Sequence, residues 1–207
     1  TLRHPETSTT FIDRFLATCE AYRVPACLIF NKVDLLSDAE RNDLASLRGL
    51  YESLGYPTYA ISALKDAEVV RGQLASIFDG RITLLSGNSG VGKSTLLNAI
   101  LGENVARTGA ISSVHHKGMH TTTFSEMYPL EEMNQGLESN GLYHSWIIDT
   151  PGIKGFGVLD MQRSEVGHYS RAMFEIGTDR GYSDCIHMNE PGCAVDKAVT
   201  HGRIAVP

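Results

Sequence analysis

We predict an α/β fold with a mostly parallel sheet for this chain of 207 residues, and three observations predict it. Apolar runs of strand length alternate with amphipathic runs of helical period. A glycine-rich loop separates one of these strands from one of these helices. The strand signal fades from about residue 151, so we expect the α/β domain over residues 1–157 and a small C-terminal segment over residues 158–207.

The spacing of apolar residues predicts the N-terminal elements. Phe11, Phe15, Cys19 and Tyr22 recur at helical spacing, which predicts a helix over residues 9–22. The run over residues 24–30 is apolar, as in a strand that is covered on both faces, so we expect a buried strand there.

Capping and turn residues delimit the elements that follow. Ser37 and Glu40 have the spacing of a capping box, and Gly55 with Pro57 ends the helix that this box begins. The remaining predicted elements are a strand over 58–61, a helix over 68–78, a strand over 81–86, a helix over 93–101, and strands over 123–130 and 145–149 joined by a polar hairpin.

Composition restricts the class of protein. Apolar residues make up 42% of the chain and charged residues 20%, which is typical of a globular protein and excludes a disordered one. The formal net charge is −6, so contact with a nucleic acid requires a local basic patch or another part of the protein. No apolar run approaches the roughly 18 residues needed to span a bilayer, so we expect no membrane partner.

The glycine-rich loop fits the pattern G-x-x-x-x-G-K-[ST] without a mismatch. Its residues, with the threonine that follows, are Gly87, Asn88, Ser89, Gly90, Val91, Gly92, Lys93, Ser94 and Thr95. Glycines let successive backbone N–H groups face a phosphate, and the following helix adds the positive end of its dipole. We expect Lys93 to reach the β- and γ-phosphates and Ser94 to ligate Mg²⁺. A chance glycine turn is the alternative, but the flanking strand and helix favour a phosphate site.

Two segments at strand ends are candidates for reading a base. Asn31, Lys32 and Asp34 follow the first apolar run, and ligands bind at the carboxyl ends of strands in an open α/β sheet. A carboxylate there can accept hydrogen bonds from guanine N1–H and N2–H₂, which adenine does not offer, so we expect Asp34 to select guanine. Ser62 and Ala63 follow another strand, and the small Ala63 lets a backbone N–H approach guanine O6. Either segment alone is more often an ordinary turn, and the phosphate loop is what favours the base-reading interpretation.

The segment after the last predicted strand is a candidate switch. Asp149 is expected to hold Mg²⁺ through water, and the Gly152 N–H to bind the γ-phosphate. Thr122, in the threonine run over 121–123, is predicted to give Mg²⁺ a second hydroxyl. The alternative for the threonines is simple β-propensity at the start of a strand.

The order of these motifs is unusual, because the base-reading segments precede the phosphate loop and the switches. The chain therefore resembles the circularly permuted GTPases, with the motif order G4-G5-G1-G2-G3, and most closely the RsgA family, also called YjeQ or EngC. The strings that carry the resemblance are PETS, NKVDLL, ISALK, GNSGVGKSTLLNAI, RTGAIS, HTTT, DTPG and CIHMNEPGCAV.

The resemblance implies a GTP hydrolase that acts as a switch in maturation of the small ribosomal subunit, with GTP or GDP, Mg²⁺ and Zn²⁺ bound. The small subunit and its rRNA are the implied partners, mainly through an N-terminal OB-fold that we expect to be missing from this chain. Further C-terminal helices are also expected beyond it, which makes the chain a fragment. A cytoplasmic monomer is implied. The alternatives are a guanine-nucleotide-binding module with negligible turnover, and an ATPase with a misleading Asn-Lys-x-Asp.

The residue after Gly152 bears on catalysis. Many relatives of this fold place a water-orienting glutamine there, whereas this chain has Ile153, which cannot orient water. The resemblance points instead to His120, just before the threonine run, as the catalytic residue that positions or deprotonates the attacking water. An exposed loop histidine is the alternative, and a metal cluster with His115 and His116 is less favoured.

Cys185, His187 and Cys193 have the close spacing of metal ligands. This spacing favours a metal over a disulfide, and a reducing compartment over a secreted one. We expect a zinc site, with a metal-free knuckle as the alternative.

A closed structural zinc site has four ligands, and this motif supplies three. The pattern of the resembled family places another cysteine five residues before Cys185, where this chain has Arg180. Asp179 and Asp184 are nearby but poorer candidates for the fourth ligand.

Overall fold

The computed structural model describes residues 1–102, 125–130, 145–152, 163–176, 185–187, 190–202 and 204. The helices are α1 (Thr9–Ala21), α2 (Asp38–Ser53), α3 (Ala67–Phe78), α4 (Lys93–Leu101), α5 (Arg163–Val166), α6 (Arg171–Ile176) and α7 (Ala194–Thr200). The strands are β1 (Leu28–Phe30), β2 (Thr58–Ala60), β3 (Ile82–Leu85), β4 (Glu126–Pro129) and β5 (Trp146–Asp149). Short 3₁₀ turns lie at Val33–Leu35 and Gly167–Tyr169.

The strand pairing agrees with the prediction of a mostly parallel arrangement. β1 pairs with β2 in parallel, and β5 pairs in parallel with β3, which sets Leu85 opposite Asp149. β4 pairs with the other side of β5 in the antiparallel direction, as the predicted hairpin requires. The loop of that hairpin, residues 131–144, lies outside the described residues.

The chain divides into two compact units. The first unit comprises residues 1–6, 28–47 and 58–154, and the second comprises residues 7–27, 48–57 and 155–207. The predicted boundary near residue 157 stays a prediction, because compact packing alone does not delimit a domain that folds by itself.

The core of the first unit forms where α3 and α4 pack together and against the sheet. Leu74 of α3, Leu97 and Ile100 of α4, and Ile147 of β5 are fully buried in it. Burying side chains of this size contributes about 1.5–3 kcal/mol each. This core fixes the start of α4 and the end of β5, which carry the glycine loop and the candidate switch.

The second unit contains a polar cluster that joins α6 to α1. The Arg171 guanidinium donates to Glu20 Oε1 at 2.8 Å and stacks 4.1 Å over the ring of Tyr56. The Tyr56 hydroxyl donates to the same Glu20 oxygen at 3.0 Å. A carboxylate, a guanidinium and a phenol therefore hold these three segments of the second unit together.

The capping predictions are confirmed. The Ser37 N–H donates to Glu40 Oε2 at 2.8 Å, and the Glu40 N–H donates back to Ser37 Oγ at 3.4 Å, which is the reciprocal capping box before α2. Gly55 follows the end of α2 with φ +80°, a conformation that favours glycine.

The prediction of a buried strand over residues 24–30 is wrong in its first half. Only Leu28–Phe30 forms a strand, and the Val24 side chain is 52% exposed. The Val24 N–H instead donates to Cys19 O at the end of α1, and Pro25 has no N–H to give a strand ladder. Hydrophobicity alone extended the strand too far.

Within the described residues, no helix is both long and apolar enough to cross a membrane.

Candidate functional site

Asn31 connects three of the predicted motif segments within the first unit. Its side-chain N–H₂ donates to the Val91 carbonyl in the glycine loop at 3.0 Å. Its Oδ1 accepts from the Ala63 N–H, after β2, at 3.0 Å and from the Lys32 N–H at 2.8 Å. Because Asn31 follows β1 directly, one amide links both base-reading segments to the phosphate loop.

The glycine loop has the backbone that a phosphate cradle needs. Gly90 and Gly92 have φ values of +83° and +95°, in the left-handed region that favours glycine. A Cβ on Gly92 would lie 2.5 Å from Asn31 Nδ2, so this glycine also makes room for the bond between Asn31 and Val91. α4 begins at Lys93, immediately after the loop, as predicted. The positive end of its dipole therefore lies at the loop.

Lys93 is half-buried, and its ammonium group folds over the loop. Nζ donates to the carbonyls of Gly87 at 2.9 Å and Asn88 at 3.3 Å. Burial lowers the pKa of Lys93, and the nearby Asp149 carboxylate opposes that shift. A phosphate would offer this cation stronger, charged acceptors than the two carbonyls. The predicted contact with β- and γ-phosphates thus requires Nζ to exchange partners.

Contacts with Ser62 and Lys65 favour the ionised form of the Asp34 carboxylate. The Ser62 hydroxyl donates to Asp34 Oδ1 at 2.5 Å, and Lys65 Nζ lies 3.3 Å from Oδ2. The hydrogen bond from Ser62 is the largest cause that lowers the pKa of Asp34, and Lys65 adds to it. An ionised carboxylate at this place can accept from adjacent N–H groups such as guanine N1–H and N2–H₂. The two base-reading segments are therefore in direct contact.

Lys32 makes a link that the sequence did not predict. The residue has φ +66°, and its Nζ donates to Gly90 O at 2.7 Å and to His4 O at 2.5 Å. Pro5 Cδ would lie 3.5 Å from a Cβ on Gly90, so the N-terminal residues border the loop. No periodicity or motif in the sequence brings His4 near residue 90.

The candidate switch begins at the end of β5. Asp149 is buried, and the Thr150 hydroxyl donates to Leu85 O at 2.9 Å, which holds the segment against β3. A Cβ on Gly152 would lie 2.7 Å from Ser89 Cα in the glycine loop. Only glycine permits this approach of the switch to the loop. The predicted bond from Gly152 N–H to a γ-phosphate stays a prediction.

The remaining predicted site residues divide into two sets. Ser94 and Thr95 lie half-buried in the first turn of α4, next to the loop. Thr122, His120 and Ile153 lie outside the described residues, so their roles remain predictions. The Ala63 N–H donates to Asn31 in the structure, so its predicted bond to guanine O6 also stays a prediction.

The second unit brings together the three predicted metal ligands. Cys185 Sγ, His187 Nδ1 and Cys193 Sγ all lie within 4.8 Å of one another. His187 Nδ1 is 3.3 Å from each sulfur. A Cβ on Gly167 would lie 2.9 Å from His187 Nε2, so Gly167 accommodates the far side of the imidazole ring.

The donor set fits zinc on its chemistry, since two thiolates and an imidazole are its preferred ligands. Cys193 is the N-cap of α7, and its sulfur accepts from the Asp196 N–H at 3.4 Å. Cys185 Sγ donates to Glu190 Oε2 at 3.1 Å, and this bond is the largest cause that raises the pKa of the Cys185 thiol to about 11. The sequence did not single out Glu190.

Comparisons with known proteins show which family model and which relatives resemble this chain. The family model described as RsgA GTPase matches residues 1–159. The small ribosomal subunit biogenesis GTPase RsgA of Phocaeicola vulgatus is 53% identical over 199 residues, which cover 96% of this chain and 60% of that relative. The protein of the same description from Porphyromonas gingivalis is 47% identical over 205 residues, covering 99% and 62%. The chain thus spans about three fifths of the curated relatives that it matches.

Two solved structures are similar over nearly the whole chain. The crystal structure of YjeQ from Thermotoga maritima has a TM-score of 0.74 at 30% identity and covers 99% of this chain and 63% of its own. The crystal structure of YloQ, described as a circularly permuted GTPase, has a TM-score of 0.71 at 23% identity and covers 98% and 60%. The predicted α/β fold with permuted motif order is confirmed.

Proposed function

The chain belongs to the RsgA GTPase family, and on this premise we propose that it binds guanine nucleotide and hydrolyses GTP as a switch in small-subunit maturation. The observation that carries the proposal is the bridge made by Asn31. Its hydrogen bonds to Val91 and Ala63 connect the phosphate loop to both base-reading segments, which supports a single site for one nucleotide.

Recognition of the base is assigned to Asp34. Its carboxylate is preset by Ser62 and Lys65 and would accept from guanine N1–H and N2–H₂. Adenine has no such pair of donors, so the same carboxylate would select against ATP.

Binding of the phosphates is assigned to the glycine loop and its lysine. The backbone N–H groups before α4 would surround the phosphates, and Lys93 would leave its two carbonyls to reach them. The Ser94 hydroxyl, with Thr122 and the buried Asp149, would hold Mg²⁺, which supplies charge neutralisation on the phosphates. The close approach of Gly152 to Ser89 supports a switch that responds to the γ-phosphate.

The hydrolysis step is in-line attack of water on the γ-phosphate, and positioning supplies most of the acceleration. Ile153 cannot orient that water, so we expect slow turnover by the chain alone. His120 is proposed to position or deprotonate the attacking water.

The proposed partner is the small ribosomal subunit. It is inferred from the description of the relatives as small ribosomal subunit biogenesis GTPases. The chain has a net charge of −6, so an overall positive field does not attract it to rRNA.

A zinc ion is proposed for the Cys185, His187 and Cys193 cluster, where it would crosslink the segments before α7. Both sulfurs would bind the ion as thiolates.

Two assays test the proposal. Melting of the chain with GTP, GDP or ATP should show stabilisation by the guanine nucleotides only, since ligands stabilise the state they bind. Single-turnover hydrolysis should be slow alone and accelerated by small ribosomal subunits. Equal stabilisation by ATP would refute guanine selection. Stabilisation without hydrolysis under either condition would leave a nucleotide-binding module.

A further inference from the structure

A carboxylate that no motif predicted lies beside the three candidate metal ligands. Cys185, His187 and Cys193 supply three donors, one fewer than a closed structural zinc site. Glu190 lies between His187 and Cys193 in the chain and brings Oε2 to 3.1 Å from Cys185 Sγ. We propose that the Glu190 carboxylate is the fourth ligand, an inference that rests on the zinc site proposed above.

The distances among the cysteine and histidine donors are close to those of a ligand set. Zn–S bonds of about 2.3 Å and Zn–N or Zn–O bonds of about 2.0 Å at tetrahedral angles place neighbouring donor atoms about 3.6 Å apart. His187 Nδ1 is 3.3 Å from each sulfur, and Glu190 Oε2 is 3.1 Å from Cys185 Sγ. Small outward shifts of the two sulfurs and the histidine nitrogen would make room for the ion. Glu190 contacts only the Cys185 side and is not among the donors that all lie within 4.8 Å of one another, so its carboxylate must turn toward His187 and Cys193 when the ion binds.

The backbone holds Glu190 at this place. The Ile186 N–H donates to Glu190 Oε1 at 2.9 Å, which leaves the other oxygen, Oε2, directed at Cys185. The Cys193 N–H donates to Glu190 O at 3.1 Å and closes a turn over Pro191 and Gly192. Proline followed by a glycine of φ +83° is the signature of a type II turn. The carboxylate is therefore tied to both cysteine segments.

The contact between Glu190 and Cys185 is compatible with metal binding. A cysteine ligand must lose its proton, so the Cys185 proton passes to solvent and the bond from Sγ to Oε2 is lost. The Cys185 thiolate and the Glu190 carboxylate would then repel each other, and Zn²⁺ bound between them would offset this repulsion. Carboxylate oxygens are accepted zinc ligands. The chain also has Arg180, which cannot ligate a cation, where the resembled family has its remaining cysteine.

Cobalt substitution of the full chain tests this assignment. A site closed by four protein ligands has no open position, so added 2-mercaptoethanol should not change the Co²⁺ spectrum of the unmodified protein. Glu190→Ala should open one position, and the added thiol should raise the thiolate-to-cobalt charge-transfer band about 1.5-fold, the ratio of three thiolates to two. Glu190→Gln, which keeps the size of the side chain, should bind Co²⁺ at least about tenfold more weakly. Glu175→Ala, at an exposed glutamate of α6, is the matched control and should behave as the unmodified protein.

The outcomes separate the two proposals. The Glu190 assignment would be overturned if 2-mercaptoethanol changed the Co²⁺ spectrum of the unmodified protein. It would also be overturned if the thiol left the spectrum of Co²⁺-bound Glu190→Ala unchanged. Either result would still leave a metal site. Opening of the site by Asp184→Ala or Asp179→Ala, but not by Glu190→Ala, would assign the ligand elsewhere and also overturn it. Failure of the unmodified protein to bind either Co²⁺ or Zn²⁺ would refute the zinc site itself.

Discussion

The side-chain amide of Asn31 donates a 3.0 Å hydrogen bond to the backbone carbonyl of Val91. This bond joins the segment after β1 to the glycine loop before α4. Asn31 also accepts from Ala63 at 3.0 Å, so a single side chain contacts the phosphate loop and the second base-reading segment.

Replacement Asn31→Ala should therefore lower both the free energy of unfolding and the affinity for nucleotide. It leaves the Val91 carbonyl and the Ala63 N–H without their partner, which should cost about 2 kcal/mol of unfolding free energy. GDP affinity should fall at least about tenfold. Denaturant unfolding and calorimetric titration measure the two effects. Asn42→Ala, at an exposed position of α2, is the control. A variant as stable and as tightly bound as the unmodified chain would contradict the bridge.

Replacement Asp34→Asn should exchange the base preference. The amide cannot accept both guanine N–H groups, but its N–H₂ can donate to the C2 oxygen of xanthine. One of the two charge-assisted bonds, which is worth about 1.5–3 kcal/mol, is lost, so GDP affinity should fall about 10- to 100-fold while XDP affinity rises. Competition binding measures both affinities. Asp38→Asn, exposed at the start of α2, should retain the preference for GDP. Unchanged GDP affinity in Asp34→Asn would exclude this carboxylate as the base reader.

Nucleotide affinity should depend on pH through Asp34. The Ser62 hydroxyl holds the pKa of Asp34 below its ordinary value, so the carboxylate stays ionised until the pH falls through that lowered pKa. Its contribution to binding and stability is present above the ordinary pKa and is lost on further acidification. Ser62→Ala should raise the pKa, so GDP affinity should begin to fall at a higher pH. Identical pH profiles for Ser62→Ala and the exposed control Ser46→Ala would refute the link.

Some features of the site could be predicted from local patterns. The start of α4 at Lys93 follows from the glycine loop and from helical periodicity, and the capping box follows from Ser37 and Glu40. These features depend on neighbours within a few residues. The strand predicted over residues 24–30 was too long because hydrophobicity carries no information on backbone hydrogen bonding. Pro25 has no N–H to donate to a neighbouring strand.

Contacts between distant residues could not be predicted in this way. The Lys32 ammonium donates to the backbone carbonyl of His4, and no sequence motif or periodicity relates these two residues. The contact depends on how the chain folds back. Glu190 was missed for another reason. The fourth-ligand candidates given by the motif spacing all precede Cys185, whereas Glu190 follows it and contacts it at the start of the turn through Pro191 and Gly192.

Replacement Gly152→Ala should separate the switch from the loop. The new Cβ would lie 2.7 Å from Ser89 Cα, so backbone must shift, at a cost of about 1–3 kcal/mol. A non-hydrolysable GTP analogue should lose more affinity than GDP, because the switch is assigned to the γ-phosphate. Gly49→Ala, in α2 with open space around its Cβ, should be neutral or stabilising by up to about 1 kcal/mol. If Gly152→Ala lowered the affinities for GDP and for the GTP analogue by the same factor, the assignment of Gly152 to the γ-phosphate would be contradicted.

Removal of the metal should destabilise the protein. A strong chelator should lower the melting temperature by several degrees, because a bound ion stabilises the folded state. Cys193→Ser should abolish stoichiometric zinc in elemental analysis. Cys27→Ser, at a partly buried thiol whose pKa is raised by burial, should retain the metal. Zinc retained by Cys193→Ser would remove this residue from the ligand set.

The most direct measurement is a crystal structure of the chain with GDP. We predict the base within hydrogen-bond distance of Asp34, the diphosphate on the backbone N–H groups before α4, and Lys93 Nζ moved from Gly87 and Asn88 onto the β-phosphate. GDP bound away from the glycine loop, or with its guanine beyond the reach of Asp34, would contradict the account.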